Sequence, residues 1–186
     1  MKYLITLLAA SLLLAHASAA DKPIELSDID GKPHTPLVAG DRKGVVLVFV
    51  SPFCPTSEAF TPEVNRIAAE YGDRFAFYLV EADADLSVAD AKKHVETLEI
   101  KAPTLLDPQH LLAKQTQATT TPEAVVLSPS GDKLYQGRIN DRYQSQTKKL
   151  KEPKTHDLRL ALDAIAAGQP VAAPTTKAIG CSISGL

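Results

Sequence analysis

The 186-residue chain has no tryptophan, one methionine and two cysteines, Cys54 and Cys181. Two cysteines exclude a small disulfide-stapled scaffold and a four-cysteine zinc site, and suffice for one disulfide. Neither sign of charge prevails: 20 Lys and Arg stand against 22 Asp and Glu, with a net charge of −2 and a pI near 6.2. That balance excludes a basic nucleic-acid binder and a polyanionic tail. Aromatic residues are only 5%, yet hydrophobic residues reach 45%, enough for a core and too many for wholesale disorder. Internal repeats and low-complexity tracts are absent. No apolar run approaches the ~20 residues that a bilayer span requires.

What is present begins with a leader. Lys2, the apolar stretch Leu4–Leu14 and the small residues Ala17-Ser18-Ala19-Ala20 make residues 1–20 read as a secretory signal peptide, cut after Ala19 or Ala20. No cysteine follows the cleavage region, so a lipid-anchored lipoprotein is not indicated. The expectation is a periplasmic or secreted protein in a compartment where a cysteine pair is free to oxidise.

Residues 21–43 are polar and turn-rich, an N-terminal extension with at most a short hairpin. Gly44–Val50 is a continuous apolar, β-branched run of the kind buried on both faces of a sheet. Helical spacing follows at Phe60, Val64, Ile67 and Tyr71, closed by Gly72, and Phe75–Val80 is a second buried strand. Val88, Ala91, Val95 and Leu98 mark a helix capped by Asp85 or Ser87. Thr104–Leu106 is a short strand, and Asp107-Pro108 opens a helix running to about Gln117. Ala124–Ser128 and Lys133–Arg138 flank the turn Pro129-Ser130-Gly131-Asp132 and form an antiparallel hairpin. After a polar loop, Thr155 caps a last helix with Leu158, Leu162 and Ile165 on one face. Residues 169–186 are rich in Pro, Ala and Thr and are expected to be irregular. This alternation predicts an α/β sandwich with a mainly parallel central sheet, a C-terminal antiparallel hairpin and final helix, and an extended tail. Its divisions are 1–20 leader, 21–43 extension, 44–168 domain and 169–186 tail.

Cys54 falls where a buried strand hands over to a helix, among amides without intrahelical partners and at the positive end of the helix dipole. A thiolate is favoured there. A free cysteine is often only a small core hydrophobe, but the carboxyl end of a strand is where ligands meet open α/β sheets. The reading requires a sulfur that is both ionisable and reachable.

The segment Phe49-Val50-Ser51-Pro52-Phe53-Cys54-Pro55-Thr56-Ser57 resembles the active-site turn of the thioredoxin superfamily, with Ser57 where a second cysteine often stands. Pro62 matches the proline of that family's active-site helix, and Thr121-Pro122 its cis-proline facing the nucleophile. The chain most resembles exported redoxins of the alkyl hydroperoxide reductase/thiol-specific antioxidant group, some of which pair a Cys-Pro-x-Ser turn with a C-terminal Gly-Cys, matched by Gly180-Cys181. The resemblance implies a thioredoxin-like α/β/α sandwich. It also implies thiol-disulfide exchange with Cys54 as nucleophile and Cys181 as resolving cysteine, paired within or between chains. The 14 residues from Ala167 to Cys181 reach roughly 46–50 Å when extended, enough to cross the domain. The implied partner is a thiol or disulfide of another protein or of a small molecule. No cofactor, metal, nucleic acid or membrane span is expected, and the oligomeric state is left open.

Two other functions stay open. A two-cysteine peroxiredoxin-like peroxidase fits Cys54-Pro55-Thr56 and Ser51, but Leu47 replaces that family's proline and Thr119–Pro122 the stretch that carries its arginine, leaving Arg138 as a substitute. A copper module would use thiolate and imidazole, yet His34, His94, His110 and His156 show no ligand spacing and read as surface or capping residues. Glu123, directly after the proline, is placed to relay a proton near Cys54, or is simply solvated. Glu81 and Asp83 share the Cys54 end of the sheet, where they either tune its pKa or serve the surface. Phe53 either screens the thiol or offers a flat partner surface.

Overall fold

The computed structural model describes residues 23–186, so the leader lies outside the described residues. Its elements, in chain order, begin with β1 (Leu26–Ser27), β2 (Pro33–His34), β3 (Val45–Val50), α1 (Pro55–Tyr71), β4 (Ala76–Glu81) and α2 (Val88–Thr97). They continue with β5 (Thr104–Leu106), α3 (Leu111–Thr116), β6 (Thr120–Thr121), β7 (Glu123–Leu127), β8 (Lys133–Gly137), α4 (Asp157–Ala166) and β9 (Cys181–Ser182).

The central sheet has the order β5-β4-β3-β7-β8. β3 pairs parallel with β4 and β4 with β5, while β7 runs antiparallel to both β3 and β8. Four of the five strands therefore point the same way, which is the mainly parallel sheet expected, and β7–β8 is the expected hairpin. Alternation along β3 divides the core. Val46, Val48 and Val50 face Phe60, Val64 and Ile67 of α1 and Leu158 and Leu162 of α4. Val45, Leu47 and Phe49 face Leu105, Leu112 and Val125 in a second cluster on the other face. Burial on both faces is what a strand without polar alternation demands. The short β1–β2 hairpin closes on a 2.8 Å contact between His34 Nε2 and Asp28 Oδ2.

Three local expectations are corrected. Pro108 lies before α3 rather than in it: the Asp107 carboxylate accepts from the amides of Leu111, Leu112 and Ala113 at 2.6, 2.9 and 3.1 Å, so the helix starts four residues beyond its capping side chain. At α4 the residue before the helix is His156, and the Thr155 hydroxyl donates to Asp157 Oδ2 instead of capping.

The third correction is the tail, which is stitched down at two points. Along β8, the Gln136 amide donates to the Pro174 carbonyl at 2.9 Å and the Thr176 amide to the Gln136 carbonyl at 3.0 Å. The buried Tyr135 hydroxyl donates to the Arg138 carbonyl at 2.6 Å and lies 2.7 Å from Thr176 Oγ1. Gly137, at φ +151°, lets Thr176 approach so closely that a Cβ would lie 2.8 Å from its carbonyl carbon. Farther on, β9 pairs antiparallel with β6, Thr120 opposite Ser182 and Thr121 opposite Cys181.

Candidate active site

β3 ends at Val50, and Ser51–Phe53 turn the chain into α1 with Cys54 as the residue before the helix and Pro55 at its first position. Proline costs nothing there because its missing N–H would have had no partner. The Cys54 carbonyl accepts from the Glu58 amide at 3.1 Å, the first bond of the helix. Ser57 is buried, and its hydroxyl accepts from the Ser51 amide at 3.1 Å, a strut that closes the turn three residues after Cys54. Pro62 sits inside α1.

Opposite Cys54 the Thr121–Pro122 peptide is cis, and the Cys54 thiol donates to the Thr121 carbonyl at 3.1 Å. Register places Cys181 directly across from Thr121. Cys54, Thr121, Pro122 and Cys181, from three distant parts of the chain, therefore meet at one point. Both cysteines are free thiols.

Reachability is corrected. Cys54 is fully buried, with 0% of its surface exposed. Polar groups lie against the sulfur: the Thr121 carbonyl, the Cys181 thiol and the Ser57 amide. Burial alone would push the Cys54 thiol up, but hydrogen bonds from Cys181, the Ser57 amide and the Thr121 hydroxyl outweigh it and hold the thiol below its ordinary value. Burial, the bond to Cys54 and the charge on it push Cys181 up to about 11. The two sulfurs are thus unequal: one proton is shed easily and the other is retained. Thr121 Oγ1 is buried and bonds no other group among the described residues, so its hydroxyl is free to favour the Cys54 thiolate.

This asymmetry gives a titration. Thiolate absorbance of the reduced protein should rise in two steps, one below the ordinary thiol range and one near 11. Thr121→Val should move the lower step up, because it removes a hydroxyl that favours the anion, and should slow Cys54 alkylation at neutral pH about tenfold. A lower step unmoved by Thr121→Val contradicts the role given to that hydroxyl.

The remaining candidates fall elsewhere. Glu123 is 7% exposed and its carboxylate is occupied: Oε2 accepts from the amides of Thr119 and Thr120 at 2.8 and 3.2 Å, and Oε1 from Gln136 at 3.0 Å. It braces the loop that carries Thr121 and makes no bond to Cys54. Arg138 forks onto Asp157, with Nε and Nη2 at 2.9 and 3.1 Å, and is not aimed at the thiol. Phe53 stands 65% exposed beside the turn, as a partner surface would.

Glu81 and His94 are not surface residues. Glu81 closes β4 opposite Val50, is 1% exposed, and holds His94 Nδ1 at 2.6 Å. Burial pushes its carboxyl up. Asp83, two residues on, pushes Cys181 up as well, so its charge is felt at the site. Among the described residues no three His, Cys, Asp or Glu side chains come together as a metal site.

No protein-family model and no curated protein matches the chain. Solved structures do. An uncharacterized conserved protein from Geobacillus kaustophilus is 27% identical, with 87% of this chain and 88% of that one covered at a TM-score of 0.74. The pneumococcal exposed lipoprotein thioredoxin Etrx1 from Streptococcus pneumoniae is 26% identical over 61% of this chain and 86% of its own, at a TM-score of 0.52. A secreted disulfide oxidoreductase of Mycobacterium tuberculosis shares the fold at 17% identity and a TM-score of 0.54, covering 78% of this chain and 96% of its own. The likeness in fold to these structures, the exposed lipoprotein thioredoxin among them, together with a mainly parallel sheet, a cysteine at the start of α1 and a cis-proline against that cysteine, places the chain in the thioredoxin superfamily.

Proposed function

We propose that the protein is an exported thiol-disulfide oxidoreductase in which Cys54 is the nucleophile and Cys181 resolves. The observation that carries this reading is the juxtaposition of two unequal thiols at the Thr121–Pro122 loop, one favoured as thiolate and one as thiol. The Cys54 thiolate attacks one sulfur of a partner's disulfide. The new bond joins Cys54 to that sulfur, and the other partner sulfur leaves as a thiolate and takes up a proton. Cys181 then loses its proton and attacks Cys54 Sγ. The Cys54–Cys181 bond forms, and the second partner sulfur departs as a thiol. The partner gains two electrons and the protein loses two. A dithiol restores the protein by the same steps in reverse.

Residues 1–20 support export, since a charged start, an apolar stretch and small residues at the cut are what a secretory leader needs. An oxidising compartment is where a Cys54–Cys181 bond would persist. The peroxidase alternative has no arginine bonded at Cys54, because Arg138 is engaged by Asp157.

The test is to supply the purified protein with dithiothreitol and either a protein disulfide or hydrogen peroxide. Catalysed disulfide reduction with little peroxide turnover is expected. Rapid peroxide consumption without disulfide exchange overturns the assignment.

A further inference from the structure

Covering Cys54 with the chain's own tail raises the question of what else fits there. The tail lies in a built groove. The Ile183 amide donates to the Thr119 carbonyl at 2.9 Å, and β9 continues the pairing at Thr120 and Thr121. The Ile183 side chain is buried in the apolar cluster that includes Leu112 and Ala118. Gly180 presses on the loop so closely that a Cβ would strike the Thr121 carbonyl oxygen, lie 2.7 Å from its carbon and 3.1 Å from Pro122 Cδ. Its backbone is not in the left-handed region, so it is space rather than conformation that requires glycine. Gln146 Nε2 adds a bond to the Gly180 carbonyl at 2.9 Å.

Resting on the oxidoreductase reading, we propose that this groove is the client site and that it selects an extended segment with glycine immediately before the reacting cysteine and an aliphatic residue two positions after it. In the resting protein Gly180-Cys181-Ser182-Ile183 fills it. A client enters by strand exchange with the tail, gaining the same backbone bonds along Thr119–Thr121. A bulkier residue before the client's cysteine pushes that sulfur off the line to Cys54. A segment without the aliphatic residue leaves the pocket of Ile183 empty.

The experiment uses full-length Gly180→Val/Cys181→Ser protein, in which the tail is forced off the loop and only Cys54 reacts. The probe is a peptide spanning residues 177–185 whose cysteine carries thionitrobenzoate. Attack by the Cys54 thiolate joins peptide and protein and releases the coloured thiolate. The parent peptide should react about tenfold or more faster than its Gly180→Ala form, and clearly faster than its Ile183→Ser form. Dithiobis(nitrobenzoate), a small disulfide with no residue on either side of its sulfurs, is the control. Ready reaction with it, together with equal rates for all three peptides, overturns the selectivity and leaves the oxidoreductase reading standing. Failure of Cys54 to react with this small disulfide overturns both. The same ranking in the Cys181→Ser protein with its tail in place, at lower absolute rates, covers the case in which the valine disturbs folding.

Discussion

Cys54→Ser should lose thiol-disulfide exchange by on the order of a thousandfold or more, because a serine hydroxyl is not ionised near neutral pH and has no adjacent base here to activate it. The site favours an anion at Cys54. The Cys181 thiol, the Ser57 amide and the Thr121 hydroxyl all favour the Cys54 thiolate over the thiol, against the cost of burial. Oxygen in place of sulfur keeps the hydrogen bond to the Thr121 carbonyl, so the variant should fold with near-normal stability. It should also lower the Cys181 titration, since the charge and hydrogen bond of Cys54 that help hold Cys181 near 11 would be gone. Exchange rates with a protein disulfide and a thiolate titration read both effects. Substantial residual exchange would mean that Cys181, or no residue of this site, is the nucleophile.

Cys181→Ser has a different signature. The first displacement needs only Cys54, so a partner's disulfide should still be opened, but nothing then attacks Cys54 Sγ from within the chain. Turnover should fall by about a hundredfold or more, and intact mass should show one partner molecule joined to Cys54. The oxidised protein also loses a cross-link between residues far apart in the chain, worth about 4–5 kcal/mol in the chain-entropy model before any strain. Denaturation of oxidised wild type against oxidised Cys181→Ser measures that difference. Unchanged turnover with no trapped adduct would remove Cys181 from the mechanism.

Much of this architecture is legible from local pattern. The β-branched run of β3 has no polar alternation and so had to lie inside the sheet. The turn Pro129–Asp132 announced the β7–β8 hairpin, and the Ser128 amide indeed closes it on the Asp132 carbonyl at 2.8 Å. What local pattern misses are the long-range polar closures. Asp107 caps a helix that starts four residues later, so its own dipeptide suggests a helix too early. Glu81 and His94 are each polar residues that local pattern places at the surface; only their mutual contact across 13 positions makes burial tolerable. The tail has no periodicity at all, because what holds it is the edge of β8, the Tyr135 hydroxyl, the space over Gly137 and the open side of Thr120–Thr121. That Cys54, Cys181 and Thr121-Pro122 belong together was readable from the resemblance of their motifs. That Cys181 lies across from Thr121 in the reduced protein, sealing Cys54, was not.

In the proposed cycle a sulfur with no exposed surface meets a partner only after its cover moves, and if β9 is that cover, the rate at which the tail opens should set an upper limit on the first displacement. The energy to be overcome is modest, since β9 is two residues long and the Ile183 side chain is its main apolar anchor.

The proposed chemistry requires Cys54 and Cys181 to act as one reversible redox pair. Mass mapping of the native protein, equilibrated in graded mixtures of reduced and oxidised dithiothreitol, tests it most directly. A linkage joining the peptides of Cys54 and Cys181 within a single chain, forming and dissolving as the mixture is changed, is the result expected. Two thiols that stay separate throughout, or that bond only to other molecules, would contradict it.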